Sequence, residues 1–267
     1  MKELYAVVTN QCDLSCPHCD IKSQALDNYN EELFINTLKE FDGNIILFGG
    51  EPTLHKDRLL KILSLNKAMS ISTNLVNLDK DFIPYFKNLY VATSWNHLRF
   101  TYFQYRAWLN NLKLLHENEI SCRVLITLTK DLIQSSPTRF IEMVKIWNSE
   151  YKAIDSIAFE QLIDNTKSKE FYERADDWLC KVHNLWKKHD IKIENLIINK
   201  LDHWYCDCDN VYTLQPNGEI INRCPHSFGI CVVSECLTCP QSETCRPCRL
   251  QQHCTYPKKL AQLVKQE

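Results

Sequence analysis

Short apolar runs alternate with longer amphipathic stretches along most of the chain. The runs that predict β-strands are residues 3–9, 44–49, 69–73, 89–95, 121–129 and 154–161. Each run is short and mostly apolar, which is typical of strands in a parallel sheet that is covered on both faces. The chain is therefore predicted to be built around a parallel sheet.

Apolar residues recur at helical spacing in the stretches between these runs. Helices are predicted over residues 30–41, 57–65 and 102–117, in a short segment that is interrupted by Pro84, from Pro137 onward, and in a long segment after the sixth run. The expected buried face of the first helix is Leu33, Thr37, Leu38 and Phe41, and that of the last is Phe171, Ala175, Trp178, Leu179, Val182 and Trp186. Six strands that are each followed by a helix predict an α/β fold. Right-handed crossovers would curl such units into an open partial (β/α)6 barrel.

The end of the chain has a different pattern, with few apolar runs and little helical periodicity. We therefore predict two domains, a partial barrel over residues 1–200 and a small Cys-rich domain over residues 201–267. Such a small domain cannot build a good hydrophobic core of its own, so bound metal would have to organise it.

Composition and charge narrow the possible functions. Hydrophobic residues make up 45% and charged residues 24% of the chain, as in ordinary globular proteins. The net charge of −2 argues against a dedicated nucleic-acid-binding surface. No run approaches the ~20 apolar residues of a membrane helix, and the N-terminus lacks the features of a signal peptide. We expect a cytoplasmic protein without nucleic-acid or membrane partners.

Cysteine is abundant and glycine is scarce, with 14 Cys against 5 Gly. Disulfides are rare in the reducing cytoplasm, so the cysteines predict ligands for metal ions or clusters. Three cysteines lie near the start of the chain and nine lie in the predicted second domain. The two between them, Cys122 and Cys180, are expected to pack as small hydrophobic side chains.

The first cysteine group directly follows the first predicted strand. Cys12, Cys16 and Cys19 have the spacing C-x3-C-x2-C. Three thiolates in one loop can hold three irons of a [4Fe–4S] cluster and leave the fourth iron open to a substrate. A zinc-binding loop, or a cluster completed by a distant cysteine, would also fit this spacing.

A second motif, Gly49-Gly50-Glu51-Pro52, directly follows the second predicted strand. The two glycines would let a ligand approach the backbone closely. Glu51 can accept a hydrogen bond from an ammonium group, and Pro52 stiffens the turn. By itself this motif is also compatible with a simple turn. Because ligands bind at the carboxyl ends of parallel strands, both motifs are predicted to share one mouth.

The cysteine loop and the GGEP segment, in this order and on these strands, resemble the radical S-adenosylmethionine (radical SAM) superfamily. The resemblance implies that the open iron binds the amino and carboxylate groups of the methionine end of SAM. It also implies that the GGEP segment binds the same amino group. An external flavodoxin- or ferredoxin-like donor would supply one electron. Reductive cleavage would then give methionine and a 5′-deoxyadenosyl radical, which takes hydrogen from a substrate.

Other site residues carry over from the family. His18 precedes the last cysteine of the loop, where relatives place an aromatic side chain near the adenine. Ser94 and Asn96 close the fourth strand, where relatives use polar side chains to hold the ribose. Related enzymes have an Asp followed by Gly at this point, and this chain lacks that pair.

Three further residues are candidates for the same mouth. Thr73 and Asn74 end the third strand and face the mouth, although turn formation would explain them equally well. Arg106, in the helix after the fourth strand, resembles an arginine of relatives and could pair with the SAM carboxylate. A solvated helix arginine is the alternative.

The C-terminal cysteines resemble those of the SPASM domain, which holds two auxiliary [4Fe–4S] clusters in many radical SAM maturases. By order along the chain, the resemblance implies one cluster on Cys206, Cys208, Cys224 and Cys248, and another on Cys236, Cys239, Cys245 and Cys254. Cys231 would be spare. Two gaps are shorter than in the relatives, and two zinc sites of four cysteines each would fit the spacing as well.

These features predict a radical SAM enzyme whose substrate is a peptide or protein, because SPASM-bearing relatives mostly modify peptides. The second domain would then hold two auxiliary clusters. Chemistry on a small molecule, such as alcohol dehydrogenation, is the first alternative, and activation of a glycyl-radical enzyme is another. A non-catalytic module with zinc-stapled loops is the alternative outside the enzymes.

Overall fold

The structure is a computed structural model, and it describes residues 2–16, 19, 28–96, 99–161, 169–189, 191, 195–198 and 211–221. The strands are β1 (Glu3–Thr9), β2 (Asn44–Gly49), β3 (Ala68–Thr73), β4 (Tyr90–Trp95), β5 (Cys122–Leu128), β6 (Ile154–Gln161), β7 (Asn195–Ile198), β8 (Val211–Leu214) and β9 (Ile220–Ile221). The helices are α1 (Glu31–Glu40), α2 (Lys56–Leu63), α3 (Ile83–Phe86), α4 (Tyr102–Glu117), α5 (Lys130–Gln134), α6 (Pro137–Glu150) and α7 (Lys169–Lys188).

The described strands form one open sheet in the order β7-β6-β5-β4-β3-β2-β1-β8-β9. Every neighbouring pair from β7 to β8 is parallel, and only β8 and β9 run antiparallel. The predicted α/β class and the six parallel strands are therefore confirmed. The sheet is larger than predicted, because β7 extends it beyond β6 and β8 extends it beyond β1.

The hydrophobic core lies between the sheet and the helices. Alternate residues of the central strands, such as Leu4, Ala6 and Val8 of β1, are fully buried in it. The six residues predicted for the buried stripe of the last helix are buried in α7. Cys122 is also fully buried in the core, and Cys180 packs against it, as predicted.

Helix α1 buries a different face from the predicted one. Its buried residues are Phe34, Ile35 and Leu38, whereas Leu33 is 53% exposed. Leu33 faces the β8–β9 turn instead, because a Cβ atom added to Gly218 would lie 2.4 Å from the Leu33 Cβ. The prediction for Leu38 was correct and that for Leu33 was wrong.

The first strand of the β8–β9 hairpin is part of the barrel sheet. β8 pairs with β1, and the carbonyl of Pro216 accepts a hydrogen bond from the Asn30 N–H at 2.9 Å. The turn at Pro216, Asn217 and Gly218 therefore packs on the start of α1. The boundary near residue 200 stays a prediction, since most of the second domain lies outside the described residues. No helix in the described part is both long and apolar enough to cross a membrane.

Candidate cofactor site

The first cysteine loop leaves the carboxyl end of β1, as predicted. Cys12 is half-buried, and its sulfur accepts a hydrogen bond from the Leu14 N–H at 3.4 Å. Burial raises the pKa of the Cys12 thiol, and the Leu14 N–H opposes that rise. Because metal and cluster ligands are thiolates, binding at Cys12 would release a proton.

The other two cysteines of the loop are joined by a backbone hydrogen bond. The Cys19 N–H donates to the Cys16 carbonyl at 3.2 Å, and both side chains are half-buried thiols. No three Cys, His, Asp or Glu side chains of the described part are gathered closely enough for one metal ion. A [4Fe–4S] cluster binds each cysteine through a different iron, so its ligands need not converge on one point. The donor set of the loop fits such a cluster.

The glycine pair joins the end of β2 to the cysteine loop. The Gly50 N–H donates to the Thr9 carbonyl and the Glu51 N–H to the Gln11 carbonyl, both at 2.7 Å. A Cβ at Gly50 would lie 2.0 Å from the Gln11 carbonyl oxygen, and Gly49 has a φ of 138°. These glycines therefore admit the chain's own backbone at this point. Any larger residue would push the two motifs apart.

Glu51 is fully buried beneath this junction. Its Oε1 accepts from the Thr53 N–H at 3.1 Å and from the Thr53 and Thr73 hydroxyls at 2.7 Å. Its Oε2 accepts from the Asn74 N–H at 2.5 Å. Burial raises the pKa of the Glu51 carboxyl, and these hydrogen bonds oppose the rise. The side chain thus ties together the segments that follow β2 and β3.

Thr73 and Asn74 are buried at the end of β3. The Thr73 hydroxyl also accepts from the Leu75 N–H at 3.1 Å. The Asn74 amide donates to Asp13 Oδ1 at 2.7 Å and accepts from the Val76 N–H at 2.8 Å. The turn-forming alternative therefore describes these two residues well, and it connects them to the cysteine loop. Direct cofactor contact by either residue stays a prediction.

The turn after Asn74 has an unusual backbone. Leu75 has a φ of 55°, a left-handed conformation that disfavours L side chains by about 1–2 kcal/mol. The side-chain amide of Asn111 holds this turn by donating to the Leu75 carbonyl at 2.7 Å. Burial of Leu75 helps to stabilise the same conformation. Such strain persists where the surroundings over-determine it, and here it fixes one wall of the site.

Two further predicted site residues, Ser94 and Asn96, lie at the end of β4. The register pairs Ser94 with Leu125, and Ser94 is half-buried. Asn96 is buried, and its carbonyl accepts from the Arg99 N–H at 3.0 Å. The structure thus puts both at the mouth end of the sheet, and their contact with the ribose stays a prediction.

Arg99 is a candidate that the sequence analysis missed. Its Nε is buried and has no hydrogen-bond partner among the described residues. Its positive charge lies close enough to Cys12 to oppose the rise in the pKa of that thiol. Arg106, by contrast, is exposed on α4, which matches the alternative of a solvated helix arginine. A lone arginine in a loop has no sequence pattern that would have identified it.

Several predicted ligands lie outside the described residues. They are His18 and the tail cysteines Cys206, Cys208, Cys224, Cys236, Cys239, Cys245, Cys248 and Cys254. Their roles, and the spare position of Cys231, therefore stay predictions.

The cysteine loop and the GGEP segment are thus joined at the carboxyl edge of a parallel sheet. A model of the Radical SAM superfamily matches residues 6–143, just over half of the chain. The chain therefore belongs to the radical SAM superfamily. Membership implies an enzyme that cleaves SAM reductively with a 4Fe-4S cluster.

One solved structure supports the fold independently. It is the structure of hexahistidine-tagged anSMEcpe with bound AdoMet, and it superposes with a TM-score of 0.61 at 15% sequence identity. The match covers 83% of this chain and 73% of that chain. At this identity the similarity shows a shared fold. No curated protein sequence matches the chain.

Proposed function

We propose that this radical SAM enzyme modifies a peptide or protein. The observation that carries the radical chemistry is the direct backbone connection between the cysteine loop and the GGEP segment. The peptide substrate is supported by the nine cysteines after residue 205, whose order resembles that of a SPASM domain. An external flavodoxin- or ferredoxin-like protein is the proposed electron donor.

Cys12, Cys16 and Cys19 would hold three irons of a [4Fe–4S] cluster, and SAM would occupy the fourth. When bound and reduced, this pair supplies a carbon radical that can take a hydrogen atom from a substrate. The residues of the chain bind and orient these groups and exclude water from them. Gly50 and Glu51 hold the cysteine loop and the SAM-binding segment in one register, and Ser94 and Asn96 would contact the ribose.

We assign the SAM carboxylate to Arg99 instead of Arg106. The Arg99 Nε is buried and has no hydrogen-bond partner in the described part of the chain. Such a donor favours an incoming anion, because an unmade bond to a buried donor is destabilising. Because the charge of Arg99 acts on the Cys12 thiol, this donor would lie near the iron to which SAM binds. Arg106 is exposed and would have to leave solvent to reach the same group.

Loss of one cluster ligand tests the SAM chemistry. We expect Cys16→Ala to release no 5′-deoxyadenosine from SAM under anaerobic reducing conditions. Cys180→Ala is the matched control, because Cys180 lies in α7 and packs against the core. Sustained cleavage by Cys16→Ala would contradict the assignment of the cysteine loop.

Isotope transfer tests the substrate class. The reconstituted enzyme would be incubated with SAM and synthetic peptides that carry deuterium at the β-carbons of Ser and Cys. We expect deuterium to appear in 5′-deoxyadenosine. Deuterium that arrives only from labelled small alcohols would instead favour small-molecule dehydrogenation.

A further inference from the structure

Asp13 follows the first cysteine of the loop, and none of the roles described above uses it. Its Oδ1 accepts a hydrogen bond from the Asn74 side-chain amide, and its Oδ2 accepts one from the Asn77 side-chain amide, both at 2.7 Å. Each carboxylate oxygen therefore has its own donor from the turn after β3. This pair of bonds fixes Asp13 across more than sixty residues of sequence.

The amide of Asn74 has only one orientation that satisfies its surroundings. Its Oδ1 accepts from the Val76 N–H at 2.8 Å, so its nitrogen must face Asp13. The Asn74 N–H is held in turn by Glu51 at 2.5 Å. The donor that meets Asp13 is thus itself fixed by a buried carboxylate.

The fixed carboxylate also lies beside a predicted cluster ligand. Asp13 Oδ1 is 3.8 Å from the Cys12 sulfur. When Cys12 is a thiolate, this contact brings two negative charges together. Reduction adds another negative charge to a cluster, so a nearby fixed carboxylate opposes reduction and lowers the potential.

We propose that Asp13 is a positioning residue that holds the cysteine loop against the turn after β3 and lowers the reduction potential of the bound cluster. The proposal rests on cluster binding by Cys12, Cys16 and Cys19. The proposal assigns two separable effects to the Asp13 side chain. The hydrogen bonds with the amides of Asn74 and Asn77 hold the cysteine loop in place, and the negative charge of the carboxylate lowers the reduction potential of the cluster.

The test is an EPR-monitored redox titration of the reconstituted full chain. It follows the cluster whose signal changes when SAM is added, which separates this cluster from any in the tail. We expect Asp13→Asn to move its potential to a less negative value. Asp42→Asn is the matched control, since Asp42 is exposed in the turn before β2, and its potential should equal that of the wild type.

Asn77→Ala separates the effect of the hydrogen bonds from the effect of the carboxylate charge. It removes one donor and leaves the carboxylate less neutralised, so we expect a more negative potential and faster loss of iron to a chelator. If Asp13→Asn retains its iron at the wild-type potential, the proposal is wrong. If Asp13→Asn retains no iron, an unchanged potential in Asn77→Ala overturns the proposal. A wild-type chain without a SAM-responsive signal would instead overturn the cluster assignment on which the proposal rests.

Discussion

At the scale of single residues, Glu51 shows two physical effects that oppose each other. Complete burial disfavours the charged form of its carboxyl, whereas donors from Thr53, Thr73 and Asn74 favour it. Burial is the larger effect, so the pKa of Glu51 is raised. The stability that this carboxyl contributes therefore depends on pH.

The raised pKa of Glu51 determines how stability changes with pH. A carboxyl with a raised pKa contributes stability that is fully present below its unfolded pKa, near 4.3, and is lost as the pH rises through the folded pKa. The stability of Glu51→Gln does not depend on pH through this side chain. Its NH2 group is itself a donor and would face the donors around residue 51, which costs about 1–3 kcal/mol of stability. We expect wild type to be more stable than Glu51→Gln, by a margin that narrows between pH 5 and pH 8. Urea unfolding at both pH values measures that margin, and a margin that widens would show that the donors dominate.

Arg99 gives a second prediction at this scale. A hydrogen bond to a charged group contributes about 1.5–3 kcal/mol, which corresponds to a change of about ten- to a hundredfold in affinity. We expect Arg99→Gln to weaken SAM binding by about that factor, measured by equilibrium dialysis with the reconstituted enzyme. Arg106→Gln should stay within about twofold, because an exposed arginine contributes little. Equal losses in the two variants would contradict the assignment of Arg99.

The sequence predicted the positions of the two motifs but not how they are connected. Cys12 and Gly50 are identifiable because spacing and strand order carry their chemistry. The bonds from Gly50 to Thr9 and from Asn74 to Asp13 join residues that only the parallel register brings together. Local patterns contain no information on that register. Thr73 and Asn74 were therefore correctly placed at the strand end, while their protein partners were not predictable.

At the scale of elements, helix α1 shows how a local pattern can misjudge a buried face. The predicted face included Leu33 and Phe41, and it left out Phe34 and Ile35. Phe34 is fully buried in the core, whereas Leu33 lies under the β8–β9 turn. Leu33 therefore meets an element that lies nearly two hundred residues away in the sequence. Helical periodicity alone would have assigned this leucine to the core.

Paired substitutions on α1 test this correction. Phe34→Ala should lower the free energy of unfolding by about 3–5 kcal/mol, because it leaves a cavity in the core. Leu33→Ala should cost less than about 1 kcal/mol, since that side chain is largely exposed. Urea unfolding of the two variants measures both values. A larger effect at Leu33 would restore the face that the sequence pattern indicated.

At the scale of the whole molecule, the sheet is larger than six β/α units. The four residues of β7 form too short a run to stand out in the sequence, and β8 lies in the segment that was predicted to be a separate Cys-rich domain. β8 instead pairs in parallel with β1, the strand that leads into the cysteine loop. The predicted Cys-rich domain thus contributes β8 to the barrel sheet, beside the strand that leads into the cysteine loop. The two predicted domains therefore share one sheet at this point.

The metal content of the full chain tests both predicted cluster regions, the cysteine loop and the Cys-rich tail. Three [4Fe–4S] clusters would give about twelve irons per chain with matching sulfide and no zinc. We expect this result after anaerobic reconstitution of the full chain, measured by iron, sulfide and zinc analysis. About four irons with two zincs would keep the radical SAM site but make the tail a structural zinc domain. A zinc-bound tail would remove the SPASM resemblance that supports the peptide substrate, so this result would favour small-molecule chemistry over peptide modification.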